Sequence, residues 1–302
     1  MKINIITVES SWILKKIAER IIEHNKDKNV FFKIGHEVDP SADINYYVDI
    51  QNMYDGQRTN CDIGMFTHAH EDSRQWVSDI FQTQKCENLK AITSMNKRYT
   101  DMLIELGWPT ERIITLTPGE TYKAFPLKKV KVGIVSRGGY PGYGDDFLCD
   151  LFSKHKFKNF EFKFLGIEWD NVKKITKKRR IKAEYLEDED YKNYPAFYQD
   201  IDYLLVPGRW TAGPMSAQEA LSTGIPIIGA DVGFINYEFA PDYCFAPGDE
   251  EGLVKIFEHI EAPLVNRRKQ VEGMRHWKYT RDLVKFFKNV QKMDDQEWAR
   301  KK

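Results

Sequence analysis

The segment from Ile201 to Gly233, IDYLLVPGRWTAGPMSAQEALSTGIPIIGADVG, constrains the fold of this chain more than any other. It reads as a buried strand (Tyr203–Val206), a loop holding Gly208 and Gly213-Pro214, a helix (Met215–Ser222) and a second strand over residues 225–229. A short apolar run that passes through a glycine-bearing loop into a helix and then into another strand is a β–α–β unit. Such units build parallel sheets with helices on both faces. The same order also builds an anion site. The free N–H groups and positive dipole end of the helix point to whatever sits at the C-terminal edge of the strand. Glu219 lies about one turn into that helix, on the side of Met215 and Ser216, where a carboxylate can accept bonds from hydroxyls beyond the anion.

The alternation extends along the chain. Residues 3–8 are apolar and β-branched, and Ser10 and Ser11 follow as caps for a helix. In that helix Trp12, Ile13, Ile17, Ile21 and Ile22 recur at helical spacing, with Lys15, Lys16, Glu19 and Arg20 between them. Residues 30–33, 44–48, 63–66, 90–93 and 113–116 read as strands, and 73–81 and 97–106 as helices. The β reading around 44–50 continues toward a turn at Asp55-Gly56. Residues 118–126, with Pro118, Gly119 and Pro126, read as a linker. A second series then begins: a strand at 130–135, a glycine-rich loop at 138–144, a helix at 145–153 and a strand at 160–165. From Pro263 to Met293 the pattern is helical, with Val271, Trp277, Leu283, Phe286, Phe287 and Val290 as its apolar positions. Residues 294–302 are polar and expected to fray.

A length of 302 residues suits two domains, and 42% hydrophobic with 13% aromatic residues supports packed cores. Lys+Arg and Asp+Glu balance at 45 each, which removes a global field for nucleic acid or membrane. No apolar run approaches a membrane span, and MKINIITVES reads as a strand rather than a signal peptide. Cys61, Cys86, Cys149 and Cys244 are scattered without C-x-x-C spacing and read as reduced, buried thiols of a cytosolic protein. The basic run Lys173, Lys174, Lys177, Lys178, Arg179 and Arg180 is followed by Glu187-Asp188-Glu189-Asp190. Mutual screening on a solvated loop accounts for the pair of runs; contact with phospholipid head groups, a lipid-linked molecule or nucleic acid is the alternative.

Doubly wound domains bind ligands beyond the C-terminal ends of their strands, so three loops stand out. The first is Thr67-His68-Ala69-His70-Glu71-Asp72, where His68 and then His70 are candidates against a surface or capping role. No ligand cluster accompanies the two histidines, so a metal is not expected there. The second, from Ser136 to Gly144, carries Arg137, whose fork of donors at a strand end suits pyrophosphate; its glycines are equally those of a structural turn. The third holds Gly213, Pro214, Met215, Ser216 and Glu219.

Gly213-Pro214-Met215-Ser216, then Glu219-Ala220-Leu221, then Gly224-Ile225-Pro226-Ile227-Ile228, in that order and spacing, resemble the donor-binding pattern of family 4 retaining glycosyltransferases. The resemblance implies the GT-B fold, an α/β architecture of two Rossmann-like domains facing each other across a cleft, with a C-terminal helix crossing back. It divides the chain into an acceptor-side domain (1–126), a nucleotide-sugar-binding domain (127–275) and a terminal helix (276–302) that packs on the first. By the same resemblance His68 and Arg137 are catalytic. Arg137, Thr211, Gly213, Pro214, Met215, Ser216 and Glu219 bind the donor, with Glu219 on the ribose, while Ser10, Ser11 and His70 lie on the acceptor side. No metal and no cofactor is implied, since the nucleotide-sugar is a substrate. The acceptor is a sugar, or is borne by lipid, protein or nucleic acid. The implied location is cytoplasmic, with the stretch from Lys173 to Arg180 as a surface for peripheral membrane contact.

Two departures stand against the pattern. Thr211 occupies the position of the Glu that usually meets the donor sugar, and Tyr143-Gly144-Asp145 stands where the family carries a phosphate-binding Lys. They keep open a second class, a catalytically degenerate nucleotide-sugar-binding protein. A nucleotide-sugar epimerase needs further acid/base residues, and a nucleic-acid-binding protein is disfavoured by the zero net charge. Asp188-x-Asp190 formally matches the metal motif of the other glycosyltransferase fold but lies outside that fold's strand order. Residues 194–202 resemble the family's helix before the donor strand, with Phe197 and Tyr198 as packing residues.

Overall fold

Near-continuous apolar strands and one-sided helices leave this chain one economical solution, parallel sheets buried on both faces. A computed structural model describes the chain apart from residues 8–11, 57–60, 68–73, 120–125, 141, 210–213 and 301–302, and apart from the side chains of residues 12, 52 and 294–300. The chain divides into two compact units, Met1–Phe125 with Gln270–Lys302, and Pro126–Lys269.

In the first unit the elements are β1 (Lys2–Ile6), α1 (Trp12–His24), β2 (Phe31–Gly35), β3 (Ile44–Tyr47), α2 (Ile50–Met53), β4 (Asp62–Phe66), α3 (Arg74–Thr83), β5 (Ala91–Ser94), α4 (Lys97–Glu105) and β6 (Ile113–Thr115). The strands pair in parallel in the order β2-β1-β3-β4-β5-β6. Every residue of β3, β4 and β5 is buried, which requires cover on both faces. The β reading toward Asp55 stops early because Asp49 accepts a hydrogen bond from the Gln51 N–H and opens α2 instead.

The second unit runs β7 (Val130–Val135), α5 (Asp145–Lys154), β8 (Phe160–Leu165), α6 (Asp170–Arg179), β9 (Ala183–Leu186), α7 (Tyr194–Gln199), β10 (Tyr203–Val206), α8 (Met215–Ser222), β11 (Ile227–Ala230), β12 (Tyr243–Phe245) and α9 (Glu250–Gln270). Its parallel order, β12-β11-β10-β7-β8-β9, runs outward in both directions from the central pair β7 and β10. This is the doubly wound arrangement, with its switch point between those two strands. The core is dense in phenylalanine: Phe152 meets Phe162 edge-on at 4.8 Å between ring centroids, and Phe157 meets Phe257 edge-on at 5.2 Å. Each such pair contributes about 0.5–1.5 kcal/mol beyond its buried area.

The last helix, α10 (His276–Arg300), belongs to the first unit. Its Tyr279, Leu283, Phe287 and Val290 share a core with Ile5, Ile17, Tyr46 and Met65, and the Tyr46 hydroxyl lies 3.4 Å from that of Tyr279.

Several local expectations give way. The basic run is not a loop; most of it forms α6, with Arg180 closing the helix in the left-handed conformation at φ 56. Lys173 nevertheless reaches the acidic run and pairs with Glu187 at 2.6 Å. The helical pattern assigned from Pro263 begins at Glu250 and is two helices. Pro263 lies inside α9, whose start is fixed by the Asp249 carboxylate on the Gly252 N–H at 2.9 Å. Residues 294–300 continue α10 rather than fraying. The second strand of the opening segment begins at Ile227, after Pro226, since proline has no N–H for the ladder. Cys61 and Cys86 are buried free thiols, but Cys244 is exposed because β12 is an edge strand.

Candidate functional site

At the switch point of the second unit, the C-terminal ends of β7 and β10 and the start of α8 enclose a cavity of about 430 Å³. Val135, Ser136 and Arg137 line it from the β7 side. Val206, Pro207 and Gly208 line it from β10, and Pro214, Met215, Ser216 and Glu219 from α8. Tyr143 and Tyr194 complete the wall. Thus Arg137, Pro214, Met215, Ser216 and Glu219 are brought together, and Tyr143 joins them. His68, His70, Ser10, Ser11, Thr211 and Gly213 lie outside the described residues.

Two helices start beside this cavity, and their N-termini differ. The first turn of α5 carries Asp145 and Asp146, and Asp145 accepts a hydrogen bond from the Gly139 N–H at 3.0 Å. That dipole end is therefore already supplied with negative charge. The first turn of α8 carries no acidic residue, and its N-cap, Pro214, offers no side-chain bond. Of these two termini, α8 is the one left with donors for an outside anion. The glycines of the β7–α5 loop serve close approach. A side chain at Gly138 would meet the Glu168 carbonyl at 2.1 Å, and Gly144, at φ +96, lies against the Pro207 carbonyl.

Glu219 is not a solvated helix residue. Its Oε2 accepts a hydrogen bond from the Tyr198 hydroxyl at 2.6 Å and its Oε1 one from the Tyr191 hydroxyl at 3.1 Å. Burial first, and then the Glu219 carboxylate, push the Tyr198 phenol well above its ordinary value, so it stays a neutral donor. Tyr191 is also raised, by the Glu219 bond foremost, but it is an exposed side chain. Tyr198 thus does more than pack, and the roles of Tyr191 and Tyr194 were not foreseen. The signal was available: Tyr191, Tyr194 and Tyr198 are spaced three and four apart, which puts all three phenols on one side of a helical turn.

Arg137 is also engaged. Its Nε donates to Glu168 Oε2 at 2.8 Å and its Nη2 to Glu168 Oε1 at 2.6 Å, a bidentate pair. The pairing holds the Glu168 carboxyl below its ordinary range and the guanidinium above its own. Glu168, at φ 65, was not singled out from the sequence, because nothing in its neighbourhood marks a residue 31 positions from Arg137 as its partner. Asp190 of the Asp-x-Asp pair is taken by Lys192, which binds it through both its N–H at 3.1 Å and its ammonium at 2.9 Å. Among the described residues no group of three or more His, Cys, Asp or Glu stands in metal-binding proximity, and no helix is long and apolar enough to cross a membrane.

The cavity thus sets an uncapped helix start at a Rossmann-type switch point beside an arginine and a carboxylate one turn in. Residues 124–277, just over half of the chain, match the family described as glycosyl transferases group 1, and the chain belongs to that family. Its two Rossmann-like units are those of the GT-B class. Among solved structures it is similar to Anabaena HepE in complex with UDP-glucose (11% identity, 98% of this chain and 100% of that one, TM-score 0.39). It is also similar to sucrose-phosphate synthase from Thermosynechococcus elongatus (11%, 99% and 99%, TM-score 0.41) and to the lipopolysaccharide outer core galactosyltransferase WaaB in its apo form (12%, 96% and 99%, TM-score 0.39). No curated protein matches the chain.

Proposed function

We propose that this group 1 glycosyltransferase moves a sugar from a nucleotide-activated donor to an acceptor with retention of configuration and without a metal ion. The observation that carries the reading is the convergence of Arg137, the uncapped start of α8 and Glu219 on one cavity. The diphosphate would sit at the α8 terminus with Arg137 beside it, and charge developing on the leaving phosphate would meet donors already in place. Glu219, steadied by Tyr198, would accept the ribose hydroxyls. His68 and Arg137 are the catalytic candidates, with Thr211 and Gly213 toward the donor sugar and Ser10, Ser11 and His70 toward the acceptor. A cytoplasmic location, with the Lys173–Arg180 stretch as a peripheral membrane contact, belongs to the same proposal.

The test is transfer from a panel of nucleotide sugars, with the anomeric configuration of the product read by NMR. Activity that persists in excess EDTA with the donor's configuration retained supports the proposal. Inversion, or loss of transfer in EDTA that a divalent metal restores, contradicts it.

Two features favour the second reading, a degenerate binder: Tyr143, which lines the cavity, falls by the sequence pattern at the family's Lys, and Thr211 falls at its Glu. Turnover of wild type and Thr211→Glu separates the two. An active wild type whose donor preference shifts is an enzyme; an inactive wild type that gains turnover is the binder.

A further inference from the structure

An unassigned feature of the first unit lies between the end of α1 and one side of α10. There a cavity of about 580 Å³ is lined by residues 24–27 and by positions between Trp277 and Lys292. It is far from the strand ends of its own sheet that would carry acceptor loops. α1 departs after β1 and runs back, so His24 marks the opposite, N-terminal edge. The cavity therefore needs an account independent of the transferase site.

Its charge is one-sided. Among the described residues, Lys26, Arg281, Lys285, Lys288 and Lys292 line it against one carboxylate, Asp27. Lys288 is spent on Asp27, whose carboxyl it holds below the ordinary range, and Arg281 binds Asp282 at 2.8 Å. Lys26, Lys285 and Lys292 are exposed and have no partner among the described residues. The spacing of Arg281, Lys285, Lys288 and Lys292, four, three and four residues, puts their charges on one side of α10.

The rest of the lining is of a different kind. Trp277 leaves its indole 43% exposed, with the Arg281 guanidinium 5.3 Å from its centroid, and Val284 lies about two helical turns further along. The lysine stems add methylene surface. Among the described residues, two buried polar atoms in the lining have no hydrogen-bond partner, Thr280 Oγ1, on a residue 1% exposed, and His24 Nε2. Buried polar atoms are bonded in the great majority of cases, so unpartnered ones in a cavity wall mark a place where a ligand would supply the bond.

We propose that this cavity binds an organic phosphate that carries an apolar body. The phosphate sits among Lys26, Lys285 and Lys292, its apolar part lies on Trp277 and Val284, and the Thr280 hydroxyl donates to an ester or phosphate oxygen. An anionic phospholipid and a soluble phosphorylated small molecule share this chemistry, and experiment distinguishes them.

The full chain is tested by co-sedimentation with phosphatidylcholine vesicles with and without phosphatidylglycerol. It is tested in parallel by calorimetry with monomeric dihexanoyl phosphatidic acid and with inorganic phosphate. Binding to the phosphatidylglycerol vesicles above the neutral ones identifies a lipid source; binding of the short-chain phosphate alone identifies a soluble one. In either case the double variant Lys285→Gln, Lys292→Gln weakens binding about tenfold or more, and Thr280→Val weakens the short-chain phosphate while nucleoside diphosphate binding stays unchanged. The two lysines are exposed and have no partner among the described residues, so the double variant keeps its fold. Binding of neither probe, or equal binding by wild type and the double variant, overturns the proposal.

Discussion

Glu219 shows how much of a residue's surroundings a helix pattern leaves unsaid. Its position one turn into α8 was legible from spacing alone, but its two oxygens are already bonded by phenols. On the proposed reading, a ribose would therefore use the remaining lone pairs of the carboxylate or displace a hydroxyl. The exposed Tyr191 is the one to leave, and the buried Tyr198 is the one that stays. Arg137 poses the same question more sharply, because its fork is occupied by a carboxylate of the same chain. On the proposed reading, a diphosphate would share or replace that pair. Glu168→Gln is predicted to raise nucleoside diphosphate affinity, by roughly twofold to fivefold as befits an exposed ion pair, measured by calorimetry. Weaker binding by the variant would mean that Glu168 instead orients the fork. Spacing reveals which residues share a helix face, but not which loops a fold folds together; that is why the tyrosines were readable and Glu168 was not.

At the scale of elements, the sheets were legible and some helices were not. β4 is an apolar run after Asp62, β8 sets Phe160, Phe162 and Phe164 in alternation, and α8 has the bounds its glycine and proline neighbours suggest. α6 was concealed by charge, since its apolar side rests on little more than Val172 and Thr176. α9 was concealed by reading its internal Pro263 as a start. The link from α7 into β10 relies on charge as well as packing. The buried Lys163 of β8 pairs with Asp200 at 2.6 Å and Glu184 at 3.0 Å, and Asp200 also binds Lys131 of β7. Hydrogen bonds from Lys131 and then Lys163 lower the Asp200 carboxyl to about 2. Because the folded value is depressed, the stabilisation is present above the ordinary carboxylate value and is lost as pH falls through about 2. Urea unfolding followed from about pH 5 downward is predicted to show this loss, and Asp200→Asn is predicted to flatten that part of the profile.

At the scale of the molecule, the restart of strand–helix alternation and the opening segment were enough to give two doubly wound units. The chain order also shows why the first unit is incomplete without the last helix. α10 supplies Tyr279, Leu283, Phe286, Phe287 and Val290 to a core otherwise built from the first 116 residues. At roughly 1.5–3 kcal/mol for each large buried side chain, their joint loss rivals the 5–15 kcal/mol that ordinarily holds a domain together, about its whole stability. Deletion of residues 276–302 is predicted to unfold the first unit and leave the second folded. Thermal unfolding followed by circular dichroism would show this as the loss of one part of the transition, and an unchanged profile would remove α10 from the core.

The central claim is that the α8 cavity of the second unit binds the diphosphate end of a nucleotide-sugar. Calorimetric titration of the full chain with a panel of nucleoside diphosphates tests it most directly, using wild type, Glu219→Ala and Arg137→Met. The account predicts one bound nucleotide per chain for at least one member of the panel. It predicts a loss of about 1.5–3 kcal/mol in Glu219→Ala, the scale of hydrogen bonds to a charged group, and weaker binding in Arg137→Met. No binding across the panel, or the same affinity in wild type and Glu219→Ala, would contradict it.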